Sequence, residues 1–559
     1  MQTRVIPPAS GAYSFPLLIK QLLLSGSRYE KTREIVYRNL VRYTYPTLTE
    51  RVARLANVLV AAGVKPGDTV AVMEWDSHRY LECMFAIPMI GAVIHTINVR
   101  LSPEQILFTM NHAEDQLVLV NSDFVALYQA LAPQLKTVKK TLLLTDNSEK
   151  TAELPDLAGE YEQLLAAASP RYDFPDFDEN SVATTFYTTG TTGDPKGVYF
   201  THRQLVLHTL AVATITGSVD SVRLMGTDDV YMPITPMFHV HAWGIPYVAT
   251  MMGIKQVYPG RYEPDMLVNL WRNEKVSFSH CVPTILQMLL SAKAGEGTDF
   301  GGWKVLIGGS ALNRGLYEAA KARGIQLTAA YGMSETCPLV SCAHFNEELQ
   351  AGTDELRVTY RIKAGVPVPL VDAAIVDSEG NFLPADGETQ GELVLRAPWL
   401  TMGYLREPHK GAELWEGGWM HTGDVATLDT MGVIDIRDRI KDVIKTGGEW
   451  VSSLELEDLI SRHRAVREVA VVGMADAQWG ERPFALLVAR EGQVLDAQEL
   501  KQHLLPFVDS GLINKWAIPS QIAIVSEMPK TSVGKLDKKR IRAEVLAWRA
   551  DNSPCLSSL

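Results

Sequence analysis

The run Phe186-Tyr187-Thr188-Thr189-Gly190-Thr191-Thr192-Gly193-Asp194-Pro195-Lys196-Gly197 gathers hydroxyls, glycines and a lysine where a strand-like stretch, residues 181–187, ends. Glycines let backbone N–H groups converge on an anion, threonine hydroxyls add donors, and Lys196 adds charge, so the segment is expected to hold phosphates. Its spacing is not that of Walker A, where Gly-Lys-Ser/Thr follows four intervening residues. An ordinary P-loop ATPase or kinase is therefore disfavoured. The competing reading is a flexible Thr/Gly surface loop.

Four further groupings gain meaning beside such a loop. Tyr331-Gly332-Met333-Ser334-Glu335-Thr336 sets a carboxylate beside hydroxyls and a ring, and Glu335 suits Mg²⁺, which takes one or two carboxylates at nucleotide sites. Gly308-Gly309-Ser310-Ala311 follows a strand-like stretch, 305–307, and its small residues would let a flat base approach the backbone. His421-Thr422-Gly423-Asp424 offers a carboxylate for ribose hydroxyls, and Pro529-Lys530-Thr531-Ser532-Val533-Gly534-Lys535-Leu536 carries a lysine that can swing. Taken singly, these are an ordinary turn, a strand exit, a solvated aspartate and a surface lysine. Pro236-Met237-Phe238-His239-Val240-His241-Ala242-Trp243 is either packed core or an amphipathic substrate seat; in a helix, His239 and Trp243 would share one side.

The 559 residues exceed one compact core, so two or more domains are expected. A net charge of -12 opposes non-specific nucleic-acid binding and requires a polyanionic ligand to be held by local groups. Cys83, Cys281, Cys337, Cys342 and Cys555 form no CxxC pair or finger spacing and read as reduced thiols. The first residues lack a signal peptide's apolar core, and the longest apolar stretches are shorter than a bilayer span. The expectation is a cytoplasmic protein without an integral membrane segment.

Strand-length apolar runs at 69–73, 116–120 and 142–144 alternate with amphipathic segments such as 79–90, which implies α/β layers. Short strands at 372–376, 391–396 and 425–429, separated by Gly and Asp turns, predict a small antiparallel β subdomain. The charged run Asp435-Ile436-Arg437-Asp438-Arg439-Ile440-Lys441-Asp442 interrupts the hydrophobic pattern and reads as a boundary. Beyond it, helices from 453, 497 and 538 and strands at 468–472 and 484–488 suffice for a small α+β lobe.

The order and wording of these blocks, with DRIKDVIKTGGEW at 438–450, closely resemble the adenylate-forming superfamily of acyl-CoA synthetases, peptide-synthetase adenylation domains and luciferases. PMFHVHAWGIPY and KTGGEWVSS look most like medium- and long-chain fatty acyl-CoA synthetases. The resemblance implies an α/β fold with an N-terminal ATP- and acyl-binding domain at 1–438, a hinge at 439–442 and a mobile C-terminal domain at 443–559. It also implies an acid-thiol ligase that uses ATP, Mg²⁺ and coenzyme A to convert a carboxylic acid to an acyl-adenylate and then a thioester. Thr188 and Glu335 would hold Mg²⁺, and Thr189, Gly190, Thr191, Thr192, Gly193 and Lys196 the β and γ phosphates. Gly309, Ser310, Ala311, Ala330, Tyr331 and Gly332 would flank adenine, Ser334 would meet the α-phosphate, and Asp424 and Arg439 would bind ribose, with Lys441 nearby at the hinge. Lys535 would bridge carboxylate and α-phosphate oxygens, where its charge counts most in the transition state.

His239, Val240 and Trp243 would line the acyl seat, with His239 beside the reacting carboxylate. Lys445, Gly447, Gly448 and Trp450 would line the pantetheine path, with Lys445 serving the thioester step. One lobe cannot present both Lys535 and Lys445 to one site, so a rotation about Lys441 is implied. Two departures are present: Thr189 replaces a frequent Ser, and Ala329-Ala330 replace Gln-Gly, which removes a polar contact at 329. An aryl- or other carboxylic acid:CoA ligase and a stand-alone enzyme loading a carrier protein remain alternatives. No carrier-type Ser motif follows Lys535, which disfavours a multidomain synthetase. A luciferase-like oxygenase or a non-catalytic binding protein is disfavoured by the intact nucleotide blocks. Close relatives also suggest a homodimer.

Overall fold

The computed structural model describes residues 3–147, 153–188, 194–219, 223–446, 449–532 and 534–544. Two large sheets form its centre. The seven-stranded sheet runs Leu157–Glu160, Lys140–Leu144, Asp115–Asn121, Thr69–Met73, Val93–Thr96, Val182–Thr188, Lys196–Thr201 in spatial order, all parallel except the last pair. The nine-stranded sheet has a parallel centre, from Gln326–Gly332 through Lys304–Ile307, Phe278–Cys281, Val230–Pro233 and Lys255–Tyr258 to Glu34–Tyr37, with antiparallel edges. Helix His78–Met89 touches strands of both sheets, which explains why every residue in it is buried instead of one face only. Its charges are paired accordingly: Arg79 donates to Glu74 at 3.1 Å, and Glu82 accepts from Arg51 at 2.7 Å.

The small antiparallel subdomain is a four-stranded sheet, Asp372–Val376, Gly391–Arg396, Met420–Leu428 and Ile434–Arg439. The charged run expected to interrupt the pattern begins as the last of these strands. Burial varies along it: Ile434 and Asp438 are buried, the three residues between them are half-buried, and Arg439 is exposed. After it, Ile444–Thr446, Glu449–Val451, Gly480–Ala489, Val466–Asp476 and Gln521–Ile524 form a separate five-stranded sheet. Helices Ser453–Ser461 and Ala497–Asp509 cover it around their own apolar cluster, which includes Leu456, Val471, Leu487 and Leu504. Among the described residues no helix is long and apolar enough to cross a membrane, and no three His, Cys, Asp or Glu side chains cluster to hold a metal ion. The four described cysteines are free and buried.

Parallel strands leave their carboxyl ends on one edge, where ligands collect in open α/β sheets. Both large sheets carry expected site residues on that edge. Thr188 ends one strand; Gly309, Gly332 and His239 lie at or just beyond the ends of three others.

Candidate active site

These strand ends, the four-stranded sheet and the Lys535 loop enclose a cleft of about 1580 Å³. Thr188, Lys196, His239, Gly309, Ser310, Ala311, Ala330, Tyr331, Gly332, Ser334, Glu335, Asp424, Arg439, Lys441 and Lys535 all line it. Sequence positions from 188 to 535 thus converge on one volume.

Glycine geometry shapes one wall of the cleft. Gly309 has φ +80°, and a Cβ there would sit 3.2 Å from the Cε of Lys535 and 3.1 Å from Val282. The absent side chain is the seat of the lysine stem. At Gly332, where the pairing register shifts, a Cβ would lie 1.7 Å from the Pro338 carbonyl, so no side chain fits.

Charges within the cleft are mutually adjusted. Asp424 is 6 % exposed; its Oδ2 accepts from Tyr331 Oη at 2.6 Å, and its Oδ1 is 3.4 Å from Arg439 Nε. Asp424 and Arg439 face each other across paired strands, so their meeting is set by register. Burial raises the Asp424 pKa, while Arg439, Tyr331, Lys535 and Lys441 pull it down. Lys535 is pushed down to about 8, first by burial and then by Arg439, with Asp424 and Glu335 opposing. Burial, with help from the Lys535 charge, lowers His239 to about 3, so its imidazole is neutral at physiological pH. Lys441 is lowered by burial and by Arg439.

Thr188 and Lys196 pair across adjacent strands, which places the hydroxyl and ammonium at the two feet of the expected phosphate loop. Positions 189–193 of that loop lie outside the described residues. Tyr404 was not anticipated: its hydroxyl donates to Glu335 Oε1 at 2.8 Å, and its ring lies 4.5 Å from Lys196 Nζ. Only the fold joins Tyr404 to Glu335, 69 positions away, and the sequence around it carries no chemical signature.

The acyl-side expectation needs correction in geometry. Val240, His241, Ala242 and Trp243 have φ values of 47°, 54°, 48° and 59°, a left-handed turn and not a right-handed helix. His239 and Trp243 therefore do not share a helical face. His239 lines the cleft; Val240 and Trp243 are buried and do not, with the indole against Gly308 and 5.0 Å from the His280 ring. His241 is core, fully buried with Nε2 2.6 Å from Thr184 Oγ1.

Lys445 and Trp450 pair across a hairpin, and Lys445 does not line the cleft. The Lys445 backbone N–H donates to Glu481 at 2.9 Å. Gly447 and Gly448 lie outside the described residues. The two lysines assigned to different half-reactions are thus separated here, with Lys535 in the cleft and Lys445 outside it.

Comparison with known proteins agrees with this architecture. A family model described as AMP-binding enzyme matches residues 25–405, and one described as AMP-binding enzyme C-terminal domain matches 455–535. The chain is 38% identical over 506 residues to a long-chain-fatty-acid–CoA ligase of Thermus thermophilus, covering 90% of each. It is 36% identical over 539 residues to a 3-methylmercaptopropionyl-CoA ligase of Ruegeria pomeroyi, covering 95% of this chain and 97% of that one. Among solved structures, the anthranilate CoA ligase AuaEII in complex with anthranoyl-AMP superposes with a TM-score of 0.83 at 20% identity, covering 96% of this chain and 98% of that one.

Proposed function

We propose that this chain, which belongs to the AMP-binding enzyme family, joins a fatty acid of medium or longer chain to coenzyme A at the expense of ATP. The observation that carries the reading is the convergence of Lys535 with His239, Glu335 and Asp424 on one cleft. A carboxylate is a poor acyl donor, because its charge repels nucleophiles and oxide is a bad leaving group. Attack of a carboxylate oxygen on the ATP α-phosphorus breaks the bond to the bridging oxygen, releases pyrophosphate and leaves an acyl-adenylate. The coenzyme A thiol, losing its proton, then attacks the acyl carbon and releases AMP.

Each residue's part follows from its surroundings. Lys535, held against Gly309, would meet the oxygens that gain charge during the first step. Neutral His239 can donate one ring N–H to the incoming carboxylate without adding a second full charge beside Lys535. Asp424 and Tyr331 would fix ribose and base, with Arg439 restraining the aspartate. The Thr188 hydroxyl and Glu335 carboxylate fit Mg²⁺, a hard cation that takes oxygen ligands. Bound there, the ion would offset phosphate charge. With Lys445 outside the cleft, the thioester step requires the C-terminal domain, 443–559, to turn about 439–442 and exchange Lys535 for the segment carrying Lys445 and Trp450. A homodimer in the cytoplasm completes the proposal; sedimentation would read the first.

The test is acid-dependent ATP/pyrophosphate exchange and CoA-dependent AMP release over a panel of acids. Each buried methylene adds about 0.8 kcal/mol, or about fourfold in kcat/KM, until the pocket ends. Straight medium or longer acids should exceed acetate and benzoate. The 36% identical 3-methylmercaptopropionyl-CoA ligase favours one rival, a short thioether acid. If that acid or an aryl acid gives the highest kcat/KM, the fatty-acid reading falls and the ligase reading stands.

A further inference from the structure

The turn that follows strand Val93–Thr96 reaches the Lys535 loop from the far side of the cleft. Asn98 is 8 % exposed, and its side chain is used at both ends: Oδ1 accepts from the Arg100 backbone N–H at 3.1 Å, and Nδ2 donates to Ser532 Oγ at 3.0 Å. Two residues on, Arg100 Nη1 donates to the Ser532 carbonyl at 3.3 Å. On the opposite flank, Thr284 Oγ1 donates to the Gly534 carbonyl at 2.6 Å. Thr531 braces the loop internally, its hydroxyl accepting from Lys535 N–H at 3.1 Å and its carbonyl from Gly534 N–H at 2.9 Å.

Arg100 also faces the acyl side. Its guanidinium lies 5.8 Å from the Phe238 ring centroid and 6.0 Å from that of Tyr262. Tyr262 donates to Asp76, whose Oδ1 accepts from the Met237 N–H at 2.8 Å, and Thr96 donates to the Phe238 carbonyl at 3.0 Å. The short segment ending at His239 is therefore fastened by the same strand end that holds the Lys535 loop.

We propose that Asn98 and Arg100 are positioning residues, a latch that holds the C-terminal domain in its adenylating orientation and sets Lys535 opposite His239. The inference rests on the two-step ligase reading above. Neither residue touches the reacting atoms; each acts through Ser532. The latch must be released for the thioester step, so its loss impairs the first half-reaction and spares the second.

Three measurements decide it. Asn98→Ala and Arg100→Ala should each lower the maximal rate of ATP/pyrophosphate exchange about threefold to tenfold, the effect of one lost hydrogen bond. Thioester formation from supplied acyl-adenylate and coenzyme A should stay within about twofold, and Arg100→Lys, which retains a donor, should recover part of the exchange. Next, Asn98→Cys with Ser532→Cys, oxidised to a disulfide, should still release pyrophosphate once per site but form no thioester until dithiothreitol is added. Equal loss of both half-reactions in folded alanine variants, unchanged exchange, or full thioester turnover by the cross-linked enzyme would each overturn the latch. Wild-type protein without acid-dependent exchange would instead overturn the ligase reading, and the latch with it.

Discussion

Raising the pH should switch off the first half-reaction while leaving the protein folded, because Lys535 is pushed down from 10.5 to about 8 in the cleft. With that pKa, the ammonium is about nine-tenths charged at pH 7 and about one-tenth charged at pH 9, a loss of about tenfold. The measurement is kcat/KM for ATP in pyrophosphate exchange between pH 6 and 10, since that ratio reports the free enzyme's groups. The alkaline limb should bend near pH 8. In kcat alone the limb should lie higher, because bound phosphates stabilise the ammonium. Arg439 is the largest charge lowering Lys535, so Arg439→Met should move the limb upward whatever it does to the absolute rate. A wild-type profile flat to pH 10, or a limb unmoved in Arg439→Met, would refute the electrostatic account.

The same shift bears on docking with the opposite sign. Lowering an ammonium from 10.5 to about 8 costs the docked, charged loop about 3 kcal/mol at neutral pH. Between those values the undocked lysine binds its proton more tightly, so docking is weakest below pH 8 and strengthens as pH rises toward 10.5. Docking without ATP is thus favoured where the lysine is neutral and of no use as a cation. ATP removes the conflict by supplying anions that favour the charged form, which makes nucleotide binding and loop closure mutually reinforcing.

Glu335→Gln should raise the Mg²⁺ concentration for half-maximal activity while leaving the fold intact, because the amide still accepts from Tyr404; an unchanged metal dependence would return Glu335 to an ordinary turn. Tyr404→Phe should produce the same shift in smaller measure, read in the same titration. Gly309→Ala should slow exchange with little change in melting temperature beyond the cost of about 1–2 kcal/mol of a side chain at φ +80°. Its methyl would occupy the Lys535 seat, and an undiminished exchange rate would move that lysine elsewhere.

Most of the layers were legible in the sequence. The stretch 69–73 reads as a strand because its apolar β-branched residues end at a turn, and strand Thr69–Met73 is observed. Strands Asp372–Val376 and Gly391–Arg396 are marked equally well by their flanking Gly and Asp. The blocks whose residues meet in one cleft were also marked in the sequence, because the chemistry expected of an anion loop or a hydroxyl-binding carboxylate restricts residue type. Asn98, Arg100 and Tyr404 were not, since their partners lie 434, 432 and 69 positions away and a single Asn, Arg or Tyr has no pattern to betray it. The run 435–442 lies between the four-stranded sheet and the five-stranded one, and its first part belongs to strand Ile434–Arg439. Its charged side chains line the cleft, which the sequence pattern did not foretell.

The segment Val240 to Trp243 is the hardest to foresee, because its four positive φ values fall on side chains that disfavour them. At about 1–2 kcal/mol each, the turn carries a cost of about 4–8 kcal/mol that only its surroundings can offset. Those surroundings are specific: Thr184 holds His241 at 2.6 Å, the Trp243 indole fills the space Gly308 leaves empty, and Gly244 at φ +71° lets the chain pass His208. A Cβ at 244 would lie 3.0 Å from that imidazole. The left-handed turn therefore follows from tertiary contacts and not from local preference, which is why helical spacing gave the wrong face. It also leaves His239 at the cleft wall while the next four side chains point into the core. A right-handed turn would run these residues along another path, so the neutral imidazole opposite Lys535 depends on the hand of the turn behind it.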